Sequence, residues 1–150
     1  MPPPIRSSPA AYYAEVLARI RGHIANDVPE AIKQLGDIYL DGELGLPKSA
    51  KKAVKLYKRA VELGDVEAMH NLALIYDQGR YDGIKQDPQK AMQLFRMAAD
   101  RGEPQSQYNL GVRLWERRAN RGWPRATGLG WLGRAGFAVL GWLDNQGLQK

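Results

Sequence analysis

The chain writes one pattern twice and then begins it a third time. Ala31, Leu35, Tyr39 and Gly42 return 37 residues later as Ala68, Leu72, Tyr76 and Gly79. Ala53, Tyr57, Ala60 and Gly64 return 38 residues later as Ala91, Phe95, Ala98 and Gly102. From Pro104 onward, Ser106, Leu110, Gly111 and Leu114 fill the same slots again. Self-similarity at this spacing marks an array of stacked units, none of which can bury its apolar face alone.

Each unit reads as a helical hairpin. Ala31, Ile32, Leu35, Gly36 and Tyr39 lie three to four residues apart, which is one stripe of a helix. A second helix follows from Ser49, with Ala53, Val54, Leu56, Tyr57, Ala60 and Leu63 before Gly64. Gly42, Gly64, Gly79 and Gly102 each close a periodic run. Pro29, Pro88 and Pro104 stand near starts, where a missing N–H costs little. Ser49 and Asp87 are expected N-caps, and Asp27 with Glu30 spells a capping box. Small residues at fixed heights, Ala53, Ala60, Ala91 and Ala98, let helices approach closely. No segment alternates as a strand would, so the expectation is an all-α solenoid.

These residues resemble the Sel-1-like repeat family, a relative of the tetratricopeptide repeat. The first copy carries Ala31, Leu35, Gly36, Tyr39 and Gly42, then Lys52, Ala53, Leu56, Tyr57, Ala60 and Gly64. The second runs from Ala68 to Gly79, then Lys90, Ala91, Leu94, Phe95, Ala98 and Gly102. The G-x-G-V loop usual in that family is altered here to Gly42-Glu-Leu-Gly45-Leu and Gly79-Arg-Tyr-Asp-Gly83-Ile. The resemblance implies a right-handed α-solenoid acting as an adaptor scaffold, with first helices lining a concave face and second helices forming the back. The repeats occupy 29–65, 66–103 and a partial 104–118, after a flexible start and capping helix over 1–28 and before a Gly- and Trp-rich basic tail over 119–150, which is either a degenerate third repeat, its second helix expected around 125–138, or irregular.

The same resemblance assigns a contact surface on the concave face. The candidates are Lys33, Asp37, His70, Asn71, Leu74, Tyr108, Asn109, Val112 and Trp115, with Leu40, Asp41 and Asp77 beside them. Asn71 and Asn109 hold equivalent slots, where an amide can pair with a peptide backbone or tether a neighbouring loop. Lys33 and Asn71 match two places of the carboxylate clamp of tetratricopeptide relatives. Asp37, Gln105 and Asn109 depart from it, and an acid in the groove disfavours an acidic C-terminus.

Chemistry has little to draw on. The chain has no cysteine, hence no disulfide framework or thiolate metal site, and only His23 and His70 as histidines. No H-E-x-x-H or G-x-S-x-G is present. Gly128-Leu-Gly130-Trp-Leu-Gly133 satisfies G-x-G-x-x-G but lacks the strand before it and the acid after it that a dinucleotide site requires. Asp77, Asp82 and Asp87 lack the spacing of a calcium loop. Gly128–Leu143 is apolar but holds only 16 residues with Arg134 near its centre, short of a membrane span. The expectation is therefore a protein without catalysis, cofactor or metal, and cytoplasmic, for want of a signal peptide or spanning segment.

The net charge of +6 resides mainly in residues 113–150. Residues 113–150 hold seven basic and two acidic residues, leaving 15 basic and 14 acidic in the first 112. Lys48, Lys51, Lys52, Lys55, Lys58 and Arg59 form a basic helix face that reads as a solvated exterior, since no aromatics interleave with it. A protein or peptide ligand is the expected partner, and no specific nucleic acid. The alternatives are a fragment whose repeats merely stack on a larger array, and a basic-tailed binder of nucleic acid or membrane surface.

Overall fold

The computed structural model describes residues 8–121. Six helices occupy them: α1 Pro9–Ala25, α2 Pro29–Asp41, α3 Ala50–Glu62, α4 Val66–Gln78, α5 Pro88–Asp100 and α6 Pro104–Ala119. No strand occurs among the described residues, and the architecture is an all-α solenoid of helical hairpins. The expectations for the first seven residues, for a third second-helix at 125–138, for the glycine motif at 128–133 and for the apolar stretch 128–143 lie outside the described residues.

Local chemistry sets the helix ends. Ser49 and Asp87 accept the backbone N–H of Lys52 and Lys90, capping α3 and α5 at equivalent places. The N-terminal turns of α4 and α6 are capped by Asp65, whose carboxylate accepts the Ala68 N–H, and by Glu103, which accepts those of Gln105 and Ser106. Within each hairpin the connection is closed identically: Ser49 N–H donates to the Tyr39 carbonyl at 2.7 Å and Asp87 N–H to that of Tyr76 at 2.9 Å.

The start of α2 corrects the sequence reading. Its N-cap is Val28, which makes no side-chain cap bond, and Asp27 does not belong to a capping box. Asp27 has φ +54°, in the slot that Gly64 (φ +89°) and Gly102 (φ +87°) hold after the later second helices. The three turns share one bond, Val28 N–H to His23 at 3.1 Å, Asp65 N–H to Ala60 at 2.9 Å and Glu103 N–H to Ala98 at 3.1 Å. An aspartate tolerates left-handed backbone better than most residues. Its carboxylate is then held by Arg59 of α3. The turn from α1 into α2 is thus built like the turn out of α3 or α5.

Two apolar clusters run through the stack. Leu17 and Ile20 of α1 pack with Ala31, Leu35 and Ile38 of α2. A larger cluster continues from Ile32 through Tyr57, Leu72 and Phe95 to Leu110. Tyr57 and Phe95, each 1% exposed, are the large knobs of the two complete hairpins. The alanines at 53, 60, 68, 73, 91, 98 and 99 are buried between them, as close helix packing requires.

Candidate protein-interaction face

The first helices α2, α4 and α6 form one layer, joined by polar bonds that step from each helix to the next. Lys33 Nζ donates to Glu67 Oε2 at 2.7 Å, while Asp37 of its own helix lies 3.5 Å away. Asn71 Nδ2 donates to Asp37 Oδ1 at 3.4 Å. His70 Nδ1 meets Ser106 Oγ at 2.8 Å and lies 3.3 Å from Glu103 Oε2. Arg113 grips both carboxylate oxygens of Asp77. The hydrogen bonds between helices join residues 34 to 36 apart, nearly one repeat along the chain.

Five residues that the sequence presents as free for a ligand are therefore engaged: Lys33, Asp37, His70, Asn71 and Asp77. Asp37 is also not an unpaired acid, because the buried Tyr57 hydroxyl donates to it at 2.6 Å. Burial, and then the Asp37 carboxylate, push the Tyr57 phenol well above its usual range, so it stays a donor. Burial opposes the charge of Lys33, but Glu67 and Asp37 outweigh it and hold the ammonium above its ordinary value. Burial also opposes ionisation of Glu103, yet the bonds from Ser106 and Gln105 and the nearby His70 hold its carboxyl below the usual range. The clamp positions Lys33 and Asn71 thus serve helix-to-helix packing. Asn71 tethers a neighbouring helix rather than a loop.

His70, Ser106 and Glu103 bring together the residue types of a hydrolytic triad, and the geometry excludes that use. A triad needs the hydroxyl on one imidazole nitrogen and the acid on the other. Here both face Nδ1, and Ser106 is completely buried. The imidazole rests against Phe95, ring centres 5.8 Å apart, and ties α4 to α6.

The remaining candidates are not consumed in this way. Asn109 is partly buried, and among the described residues it makes no hydrogen bond beyond those of the helix backbone. Tyr108 beside it is 42% exposed, and Val112 and Trp115 follow on the same helix, partly exposed. Leu74 is partly buried against the core. An open cleft of about 570 Å³ also lies between the N-terminal turns of α2 and α4, lined by Glu30, Lys33, Asp65 and Glu67 among others. No cluster of residues suited to a metal ion occurs among the described residues. None of their helices is long and apolar enough to cross a membrane.

The Sel1 repeat model matches three stretches, 29–65, 66–103 and 104–118, together more than half of the chain. The chain belongs to the Sel1 repeat family. Its fold is similar to the crystal structure of a Sel1 repeat protein from Oxalobacter formigenes, with TM-score 0.64 and 26% identity over 87% of this chain and 49% of that one. It is also similar to c5321, a protective antigen of uropathogenic Escherichia coli strains that displays an SLR fold. There the TM-score is 0.59 at 22% identity, covering 87% of this chain and 25% of the other, a likeness of fold alone. This chain spans about half the length of the first and a quarter of the second. No curated protein matches it by sequence.

Sequence reasoning missed the interlocking of the first helices. Aligning the repeats gives no signal of it, since Lys33 falls opposite His70 and Asp77 opposite Trp115, while the partners Glu67 and Arg113 hold other slots.

Proposed function

We propose that this Sel1 repeat chain is a non-catalytic adaptor that captures a protein segment on its first-helix layer, centred on α6 and the adjoining part of α4. Sel1 repeat proteins bind other proteins, and the observation that carries the assignment to this face is the amide of Asn109, without a side-chain hydrogen bond among the described residues, beside the exposed Tyr108 ring. An amide offers a donor and an acceptor to an extended backbone. An aromatic ring supplies contact area at low entropic cost. Val112, Trp115 and Leu74 extend the apolar part of the contact. Lys33, Asp37, His70 and Asn71 hold the helices in register beneath it and touch the ligand only at its edge. In this reading α1 caps the array, and residues 104–118 contribute the recognition helix.

The test is selection from a displayed peptide library on the full chain, followed by affinity measurement on Tyr108→Ala and Asn109→Ala. Peptides that lose about tenfold or more on either variant support the face. A benzoylphenylalanine photocrosslinker at position 108, but not at position 55 on the opposite layer, should form the adduct. Equal affinity for all variants, or equal crosslinking from both positions, removes this face from consideration.

A further inference from the structure

The second helices α1, α3 and α5 form the opposite layer, and it carries positive charge that the fold leaves unused. On α3 and its approach, Lys48, Lys51, Lys52, Lys55, Lys58 and Arg59 face a single acid, Glu62. Two of the six are engaged: Arg59 holds Asp27, and Lys52 lies 5.0 Å from the centre of the Tyr39 ring. Among the described residues, Lys48, Lys51, Lys55 and Lys58 form no ion pair. Like charges three and four residues apart repel along a helix, so the ridge weakens α3 by itself.

A second row crosses the helices. Arg21, Lys58 and Arg96 hold the same slot in α1, α3 and α5, 37 and then 38 residues apart. Arg21 and Arg96 also lack an ion pair among the described residues. A ridge along α3 and a row across three helices, about 10 Å apart at ordinary packing distances, make a two-dimensional basic patch. Exposed apolar side chains keep it company. Of the five large ones among the described residues, Tyr12, Tyr13, Leu63 and Met97 lie on or at the ends of these outer helices. Met97 follows Arg96 directly, and Leu63 directly follows α3.

We propose that this outer layer docks on an anionic lipid bilayer, leaving the first-helix face turned towards a protein partner. Lysine stems are long enough to reach headgroup phosphates and carboxylates while their methylenes cover apolar surface. Each lysine at such a surface strengthens binding about fivefold. Leu63, Met97 and the two tyrosines suit the interfacial zone, where apolar bodies enter and polar tips stay wet. A nucleic-acid strand is the poorer fit. Stacking needs aromatic rings among the cations, and none stands on the α3 ridge. A spread of charge over three helices also matches a field of headgroups better than one backbone.

The test is sedimentation of the full chain with phosphatidylcholine vesicles containing phosphatidylserine as roughly a third of the lipid. Binding should fall on adding salt and vanish on pure phosphatidylcholine. The triple variant Lys51→Gln, Lys55→Gln, Lys58→Gln should bind about 100-fold more weakly. Its circular-dichroism melt should match or exceed the parent's, because helix repulsion has been relieved. Leu63→Ser with Met97→Ser should weaken binding severalfold without changing its salt dependence. Absence of binding to anionic vesicles overturns the proposal. So does undiminished binding by the triple variant, which would place the contact in the basic tail. Tighter, lysine-dependent binding to duplex DNA or RNA than to vesicles would assign the patch to nucleic acid instead. None of these results depends on the peptide-capture face.

Discussion

The two complete hairpins share a backbone plan and solve their central contact differently. In 29–65 the knob is Tyr57, and its ring lies so close to α2 that a Cβ at Gly36 would sit 2.8 Å from Cε1. Its hydroxyl then reaches Asp37 at 2.6 Å. In 66–103 the same three slots hold Phe95, Ala73 and Leu74. The hydroxyl, the glycine and the acceptor are all replaced. These positions behave as a set: a tyrosine whose hydroxyl needs an outlet is matched with a carboxylate, and a phenylalanine with leucine. What surrounds the knob is unchanged in both hairpins, namely the clamp from the N-cap N–H to the tyrosine carbonyl and the lysine over that tyrosine's ring, Lys52 on Tyr39 and Lys90 on Tyr76.

The comparison breaks most severely if a knob is removed. Phe95→Ala empties a site that is 1% exposed and joins α4, α5 and, through His70, α6. The expected cost is about 4 kcal/mol in urea unfolding. A cost below about 2 kcal/mol would show that the cluster relaxes around the gap. Gly36→Ala comes next. Alanine should gain about 1 kcal/mol of helix propensity. The rigid Tyr57 ring has no free end to move aside, so overpacking of about 2–3 kcal/mol should prevail. The reverse change, Ala73→Gly, loses about 1 kcal/mol with no clash to relieve.

A double-mutant cycle sharpens the idea of a matched set. Tyr57→Phe should cost about 1 kcal/mol, because Asp37 keeps Lys33 and Asn71 but loses its buried donor. Asp37→Leu should cost at least as much, leaving a buried phenol unpaired. The double variant copies the second hairpin and should be more stable than the summed singles predict, by about 1 kcal/mol. Additive singles would show the positions to be independent.

The hairpins were legible in the sequence because their determinants are local. Ser49, Asp87 and the closing glycines act on their own turns, and the knobs are large apolar residues at fixed spacing. The contact face was less legible. Lys33, Asn71 and Asp77 look free within one helix, since Glu67, Asp37 and Arg113, which engage them, stand nearly a whole repeat away; Asp37 is held by Tyr57 of the following helix as well. Arg113 gave no warning: it occupies the slot of the buried Ile38 and Ile75, and turns outward to Asp77. Asp27 misled because a capping-box spelling is a local signature. Its place in the repeat register, with Gly64 and Gly102, identifies it as the residue after a helix rather than the one before.

That register also separates the starts of the first helices, and two smaller predictions probe the difference. Asp65→Ala should cost about 1 kcal/mol by uncapping α4, whereas Val28→Ala, at a start with no side-chain cap bond, loses only apolar contact. At the start of α6 the cap is Glu103, and it is coupled to pH. Its carboxyl titrates below the ordinary glutamate value of about 4.3, so at mildly acidic pH the unfolded chain binds more protons there than the folded one. Stability from this group is complete above that value and is lost as pH falls through the lower folded one. Glu103→Gln keeps an acceptor for the Ser106 N–H but removes the titration. Its stability should therefore decline less steeply with acid than the parent's. Parallel stability–pH curves would mean that the cap holds α6 through hydrogen-bond geometry alone.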